Sequence, residues 1–147
     1  MTPYDKSIKK RYLAMRWVSQ QENCPFGFSK LTEAIPYYLK DGQPRSCAYC
    51  GRIPEQAKVW GLDRIEPTLG HIPGNLVPCC SSHHESPELS CQGSKSRFTL
   101  LAWMERSMSR ANGSPVPFGV VKQRLIRIYR LAEQLASREA GKEINQA

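Results

Sequence analysis

The sequence predicts an α+β fold, in which a small metal-binding core of short strands is flanked by helices at both ends. Apolar residues recur at helical spacing near both termini. The centre is rich in turn residues and contains short strand-like segments. Cysteine and histidine residues form closely spaced groups within that centre, and such groups are typical of a metal site.

The predicted N-terminal helical arm covers residues 1–43. Thr2 can cap the first helix, and Asp5 can reach back to it as the acid of a capping box. Residues 31–40 predict short helical turns that are interrupted at Pro36. The arm is therefore expected to be largely helical.

The predicted central module covers residues 44–111. Residues 59–65 and 76–77 are its two strand candidates, because they are short apolar stretches bounded by turn residues. Residues 98–108 return to a helical pattern. The module is thus expected to hold two strands followed by a helix.

The C-terminal segment, residues 112–147, predicts a basic amphipathic helix over residues 117–136. Its apolar stripe follows helical spacing and consists of Val121, Leu125, Ile128, Ala132 and Leu135. Basic residues cluster on a different side, namely Arg124, Arg127, Arg130 and Arg138. The stripe is expected to pack on the module or, alternatively, to pair with a second copy in a homodimer.

The length, hydropathy and net charge of the chain limit the kinds of function that it can have. A length of 147 residues suits one compact domain. No apolar run approaches the roughly 20 residues of a membrane-spanning helix, and no secretory signal is visible, so a cytoplasmic location is expected. In that reducing compartment paired cysteines favour metal binding over disulfides. The net charge of +8 favours a polyanionic partner such as nucleic acid, although it also promotes solubility.

Two short groups predict a structural zinc site. Cys47 and Cys50 are separated by two residues and followed by Gly51, which lets the backbone turn beneath an ion. After 29 intervening residues, Cys80 and His83 repeat the same spacing. Four ligands of this type indicate tetrahedral zinc.

The ligand identities leave alternatives open. Cys79 could replace Cys80, and His84 could replace the preceding histidine. Cys24 and Cys91 have no evident partner and are expected to be unliganded. The competing interpretation, buried free cysteines, is less favoured because paired short spacings seldom arise by accident.

Between the two groups the chain carries further motifs, Gly-Leu-Asp-Arg-Ile-Glu at 61–66 and Gly-His-Ile-Pro-Gly-Asn-Leu-Val-Pro-Cys-Cys at 70–80. With the flanking metal-ligand pairs, these segments resemble the HNH endonucleases, especially small phage and mobile-element members. The resemblance covers about residues 46–84, with 98–110 as the trailing helix, and does not include the arms. It implies a ββα-metal (HNH) core with a structural zinc site.

The resemblance also implies roles for individual residues. Asp63 and His84 are expected to bind the catalytic divalent ion, with His84 directly following the zinc ligand His83. Asn75 is expected to tie the hairpin loop together through side-chain hydrogen bonds. The ion is expected to be Mg²⁺ or Mn²⁺, because these suit oxygen ligands, and the imidazole also admits nickel.

The chain departs from the family pattern at two places. Arg64 stands where many relatives have the general-base histidine, and arginine cannot accept a proton at physiological pH, although it can clamp a phosphate. His71, Tyr49 with a lowered pKa, and solvent hydroxide are the candidate bases. After the final histidine, Pro87 should limit the helix.

The arms carry much of the excess positive charge. Phosphate contacts are expected from basic residues on both terminal helices, although a solvated helix face is an equal alternative for the C-terminal ones. The candidates are Lys9, Lys10, Arg124, Arg127 and Arg130. The tryptophans Trp17, Trp60 and Trp103 are expected in the core.

The sequence thus predicts a metal-dependent endonuclease on double-stranded DNA. A zinc-containing nucleic-acid-binding module without catalysis is the alternative, supported by Arg64 at the base position. A zinc-stabilised protein-interaction domain is a third hypothesis. A membrane partner is not expected.

Overall fold

The computed structural model describes residues 2–80, Cys91 and residues 118–146, and it combines helices with small antiparallel sheets. Among these residues no helix combines the length and the apolar character needed to cross a bilayer. The predicted helix at 98–108 and Trp103 lie outside the described residues.

The first helix, α1, spans Asp5–Glu22. The Thr2 hydroxyl donates to Oδ1 of Asp5 over 2.6 Å, and the Thr2 N–H donates to Oδ2 over 3.1 Å. The predicted reach of Asp5 back to Thr2 is therefore present, but the prediction that Thr2 caps the helix is wrong, because the N-cap residue is Tyr4 and no side chain caps it. The helix ends where Asn23 adopts a left-handed conformation, with φ 51°. Its buried face consists of Ile8, Tyr12, Met15 and Ser19.

The predicted helical turns over residues 31–40 are only partly right. A 3-10 turn at Leu31–Glu33 leads into the short helix α2, Ile35–Tyr38, where Pro36 occupies the first turn instead of interrupting a helix. Residues 39–40 are extended, and they form strand β1, Leu39–Lys40. Strand β2, Gln43–Pro44, pairs with it antiparallel across a tight turn, because both turn residues adopt positive φ values.

The central hairpin forms where the sequence predicts strands. Strand β3 spans Gly61–Arg64 and strand β4 spans Leu76–Cys79, and they pair antiparallel. The first strand is shorter than its predicted range, and the second continues two residues further. The register places Asp63 opposite Val77. The hairpin of β3 and β4 therefore holds both Asp63 and the end of β4.

The last helix, α3, spans Phe118–Gln146 and is ten residues longer at its C-terminal end than predicted. Within the predicted stripe, Ile128, Ala132 and Leu135 are buried and Leu125 is half-buried. These side chains are covered by the same chain, as the first of the two expectations for the stripe requires. The side chains of Val121 and Arg138 lie outside the described part of the molecule.

The core has two neighbouring clusters, and α3 contributes to both. Ile128 and Ala132 pack with the cysteines, Tyr49 and Trp60, whereas Leu135 packs with residues of α1 and α2. The prediction for the tryptophans holds at Trp60, which is 6% exposed, and is wrong at Trp17, which is 60% exposed.

Candidate metal centre and catalytic site

Four cysteine sulfurs converge beside the end of β4. Each of the four sulfurs lies within 4.8 Å of the others, and they belong to Cys47, Cys50, Cys80 and Cys91. The sulfurs of Cys50 and Cys80 are 3.7 Å apart. Tetrahedral zinc with bonds of about 2.3 Å requires sulfurs about 3.8 Å apart. The cluster could therefore hold a metal ion such as zinc.

The backbone around the cysteines is built for this convergence. Gly51 adopts φ 80°, and its N–H donates to the carbonyl oxygen of Cys47 over 2.9 Å, which closes a tight turn. The N–H of Ala48 donates to the carbonyl of Pro78 and thereby attaches this turn to β4. The N–H of Cys91 donates to the sulfur of Cys80 over 3.2 Å, and such a bond favours a thiolate.

Electrostatics within the cluster favour a cation. The hydrogen bonds donated by neighbouring thiols, first that of Cys50, hold the pKa of Cys47 well below its ordinary value. The hydrogen bonds that Cys80 and Cys91 make with Cys47 raise the pKa values of these two thiols. A bound divalent cation would favour the thiolate form of these cysteines.

The fourth member of the cluster differs from the sequence prediction. Cys91 was expected to be unliganded, and this expectation is wrong, because its sulfur joins the group. Cys80, not Cys79, is the member from the adjacent pair; the Cys79 thiol instead donates to the carbonyl of Cys80. His83, the predicted fourth ligand, and His84 both lie outside the described residues. No short spacing links Cys91 to the other cysteines, so only the three-dimensional arrangement reveals it.

Asp63 lies on β3, next to the cysteine turn. The hydroxyl of Tyr49 donates to its Oδ2 over 2.6 Å. Burial, followed by the charge of Asp63, raises the pKa of Tyr49 well above its ordinary value. A general base would need a lowered pKa, so this shift disfavours Tyr49 as the base, and the hydroxyl serves instead as a hydrogen-bond donor to Asp63.

Asn75 closes the loop between the two strands. Its side-chain oxygen accepts from the N–H of Glu66 over 2.9 Å, and its amide nitrogen donates to the carbonyls of Glu66 and Gly70 over 3.0 and 2.8 Å. The side chain is 3% exposed. This is the structural role that the family resemblance implied for Asn75.

His71 is buried within the same loop, so it is not a solvated turn residue. Its Nδ1 lies 2.6 Å from the hydroxyl of Ser19, and its backbone pairs with the segment around Phe26. Burial, reinforced by the positive charge of Arg64, lowers the pKa of His71 to about 4. The imidazole is therefore neutral at pH 7 and can accept a proton.

Arg64 is held by the end of α1. Its guanidinium forms an ion pair with Glu22 at 2.5 Å and also donates to the carbonyl of Pro67 over 3.4 Å. The Glu22 side chain is 48% exposed, so solvent screens this ion pair and its net stabilisation is small. A phosphate could therefore compete with Glu22 for the guanidinium.

The predicted DNA-contacting residues do not all share one surface. Lys9, Lys10, Arg127 and Arg130 are exposed, and Arg130 lines an open groove together with Lys40 and Arg45. Arg124 differs, because it is half-buried and its Nη1 atom has no hydrogen-bond partner among the described residues.

Comparison of the chain with protein-family models, with curated proteins and with solved structures gives no match.

Proposed function

We propose that the protein is a metal-dependent endonuclease of the HNH type, acting on double-stranded DNA. One arrangement carries the proposal: Asp63 lies on a hairpin whose loop is closed by Asn75 and whose second strand ends at the cysteine cluster. A hairpin with the aspartate on its first strand, in the order of the sequence motifs, fits the two strands that a ββα-metal site would need. The chain that follows Cys80 carries His84, the second expected ligand of the catalytic ion.

Each side chain then has a defined task. Asp63 and His84 hold Mg²⁺ or Mn²⁺, which when bound supplies positive charge to the scissile phosphate. His71 accepts a proton, because burial keeps it neutral. Arg64 exchanges its exposed partner Glu22 for a phosphate oxygen. The cysteine cluster holds zinc. It anchors the hairpin through the hydrogen bond from the Ala48 N–H to the Pro78 carbonyl.

Contacts to the DNA backbone come from exposed basic residues away from Asp63. Lys9 and Lys10 project from α1, and Arg127 and Arg130 from α3. Such contacts fix the position of a duplex without reading its sequence. The excess charge of the whole chain, +8, strengthens this attraction at low salt.

Plasmid cleavage tests the proposal. The zinc-loaded protein is expected to cut supercoiled DNA with Mg²⁺ or Mn²⁺ and to be inactive with EDTA. Asp63→Asn should abolish cutting while retaining zinc and DNA affinity, because the ion loses its anionic ligand. The matched control is Asp41→Asn, since Asp41 is exposed in a turn at φ 53° that asparagine also tolerates. Cleavage by Asp63→Asn at the wild-type rate would refute the assignment.

A zinc-containing nucleic-acid-binding module without catalysis is the second candidate. It is favoured by the contacts that already engage both residues of the β3 motif, namely Tyr49 on Asp63 and Glu22 on Arg64. This candidate predicts salt-dependent DNA binding and no cutting with any divalent ion. The same plasmid assay, combined with a binding measurement, separates the two functions.

A further inference from the structure

Tyr49 connects the cysteine cluster to the proposed catalytic carboxylate. It lies between Cys47 and Cys50 in the chain, and its hydroxyl donates to Oδ2 of Asp63 over 2.6 Å. The tyrosine is 1% exposed, so water competes little with this hydrogen bond. A hydrogen bond to one carboxylate oxygen restricts rotation about the last side-chain bond and so limits the positions that the other oxygen can take.

Both ends of this hydrogen bond stand on a rigid frame. The cysteine turn is attached to β4 by the bond from Ala48 to Pro78, and β4 pairs with β3, where Asp63 faces Val77. The hydrogen bond from Tyr49 to Asp63 links the cysteine turn back to β3. Outer partners of this kind orient the side chains that bind a metal, and their loss typically weakens the metal site.

We propose that Tyr49 is a positioning residue, which fixes the Asp63 carboxylate for the divalent ion and so couples the catalytic ion to the cysteine-bound metal. The inference rests on the proposed nuclease function. It assigns the hydroxyl a donor role only, with no proton transfer to substrate. It also explains why a buried tyrosine lies within a metal-ligand turn, where an apolar side chain would fill the same space.

Binding of Mn²⁺ alone, measured by electron paramagnetic resonance on the zinc-loaded protein without DNA, tests this role. Tyr49→Phe is expected to raise the Mn²⁺ dissociation constant by roughly 10- to 100-fold and to leave zinc content unchanged. The matched control is Tyr129→Phe, because Tyr129 also donates to a carboxylate, that of Glu66, at an exposed site. This control should bind Mn²⁺ as the wild type does.

A double-mutant cycle isolates the contact. In the Asp63→Asn background, Tyr49→Phe should have no further effect on Mn²⁺ affinity, since the carboxylate that it positions is gone. Wild-type Mn²⁺ affinity in Tyr49→Phe would overturn the inference. So would loss of zinc in Tyr49→Phe, because the hydroxyl would then support the cysteine cluster and not Asp63.

Cleavage assays on the same samples separate this inference from the nuclease proposal. Wild-type cutting that is lost in Asp63→Asn but unchanged in Tyr49→Phe refutes the positioning role alone. Conversely, if Mn²⁺ affinity depends on both Asp63 and Tyr49 but the wild-type protein cuts no DNA, the nuclease proposal is refuted and the positioning role is supported.

Discussion

Replacing Cys91 by serine is expected to lower the affinity for zinc strongly. The Cys91 side chain is 4% exposed, and its sulfur is one of four that lie within 4.8 Å of one another. A structural zinc site contributes about 10–16 kcal/mol in total, so an even share among four ligands is about 2.5–4 kcal/mol. Since about 1.4 kcal/mol corresponds to a tenfold change, Cys91→Ser should weaken zinc binding by about 60- to 700-fold.

Competition with a chromophoric chelator measures this loss directly, and the thermal midpoint with and without EDTA reports its effect on folding. Cys24→Ser is the matched control, because Cys24 lies outside the four-sulfur group and contacts His71 and Arg64 instead. It should retain wild-type zinc affinity. His83→Ala decides between the two candidates for the fourth ligand, since the sequence spacing predicts His83 and the sulfur of Cys91 lies in the cluster formed by the described residues.

Wild-type zinc affinity in Cys91→Ser, together with loss of zinc in His83→Ala, would refute the four-cysteine arrangement. It would restore the ligand set that the sequence spacing predicts. Loss in Cys91→Ser alone would support the cluster as the structure has it.

Three further outcomes are expected. The pKa of His71 is lowered to about 4, so the unfolded chain binds more protons than the folded one between about pH 4 and 6.5. The wild type should therefore lose about 3 kcal/mol of stability as pH falls through that window. His71→Gln should abolish this pH dependence, as urea unfolding would show. Tyr38→Phe should leave stability unchanged or raise it by about 1 kcal/mol, because this buried hydroxyl has no hydrogen-bond partner among the described residues; a clear loss on denaturation would contradict this. Arg130→Ala should lower the salt dependence of DNA affinity by about one counterion, and an unchanged slope would remove Arg130 from the interface.

Elements with a local signature could be predicted from the sequence. The Thr2–Asp5 pairing, the central hairpin and the buried stripe of α3 each depend on neighbouring residues, so pattern and spacing were enough. The extended conformation of residues 39–40 was not predicted: positive φ at the consecutive residues Asp41 and Gly42 builds a hairpin, which requires the residues before it to be extended.

Long-range contacts account for what the sequence did not show. Cys91 joins the cluster from a distant part of the chain, and no fixed spacing marks it. His71 lies in a loop by sequence, yet the segment around Phe26 covers it, because their backbones pair. That burial moves its pKa to about 4. If His71 is the base, the cleavage rate of the wild type should fall as pH drops through about 4, and a His71 variant should lack this step in its pH profile. An exposed histidine would give the step near neutral pH instead.

The end of α1 belongs to the site as much as to the arm. Ser19 contacts His71, and Glu22 pairs with Arg64, so the last turn of this helix holds the candidate base and the candidate phosphate clamp. The family resemblance does not include α1, and its charges suggested only DNA contact. An arm that merely bound phosphate could be removed with a loss of affinity alone. Because α1 also positions the candidate base and the candidate phosphate clamp, its removal should alter the chemistry of the site as well.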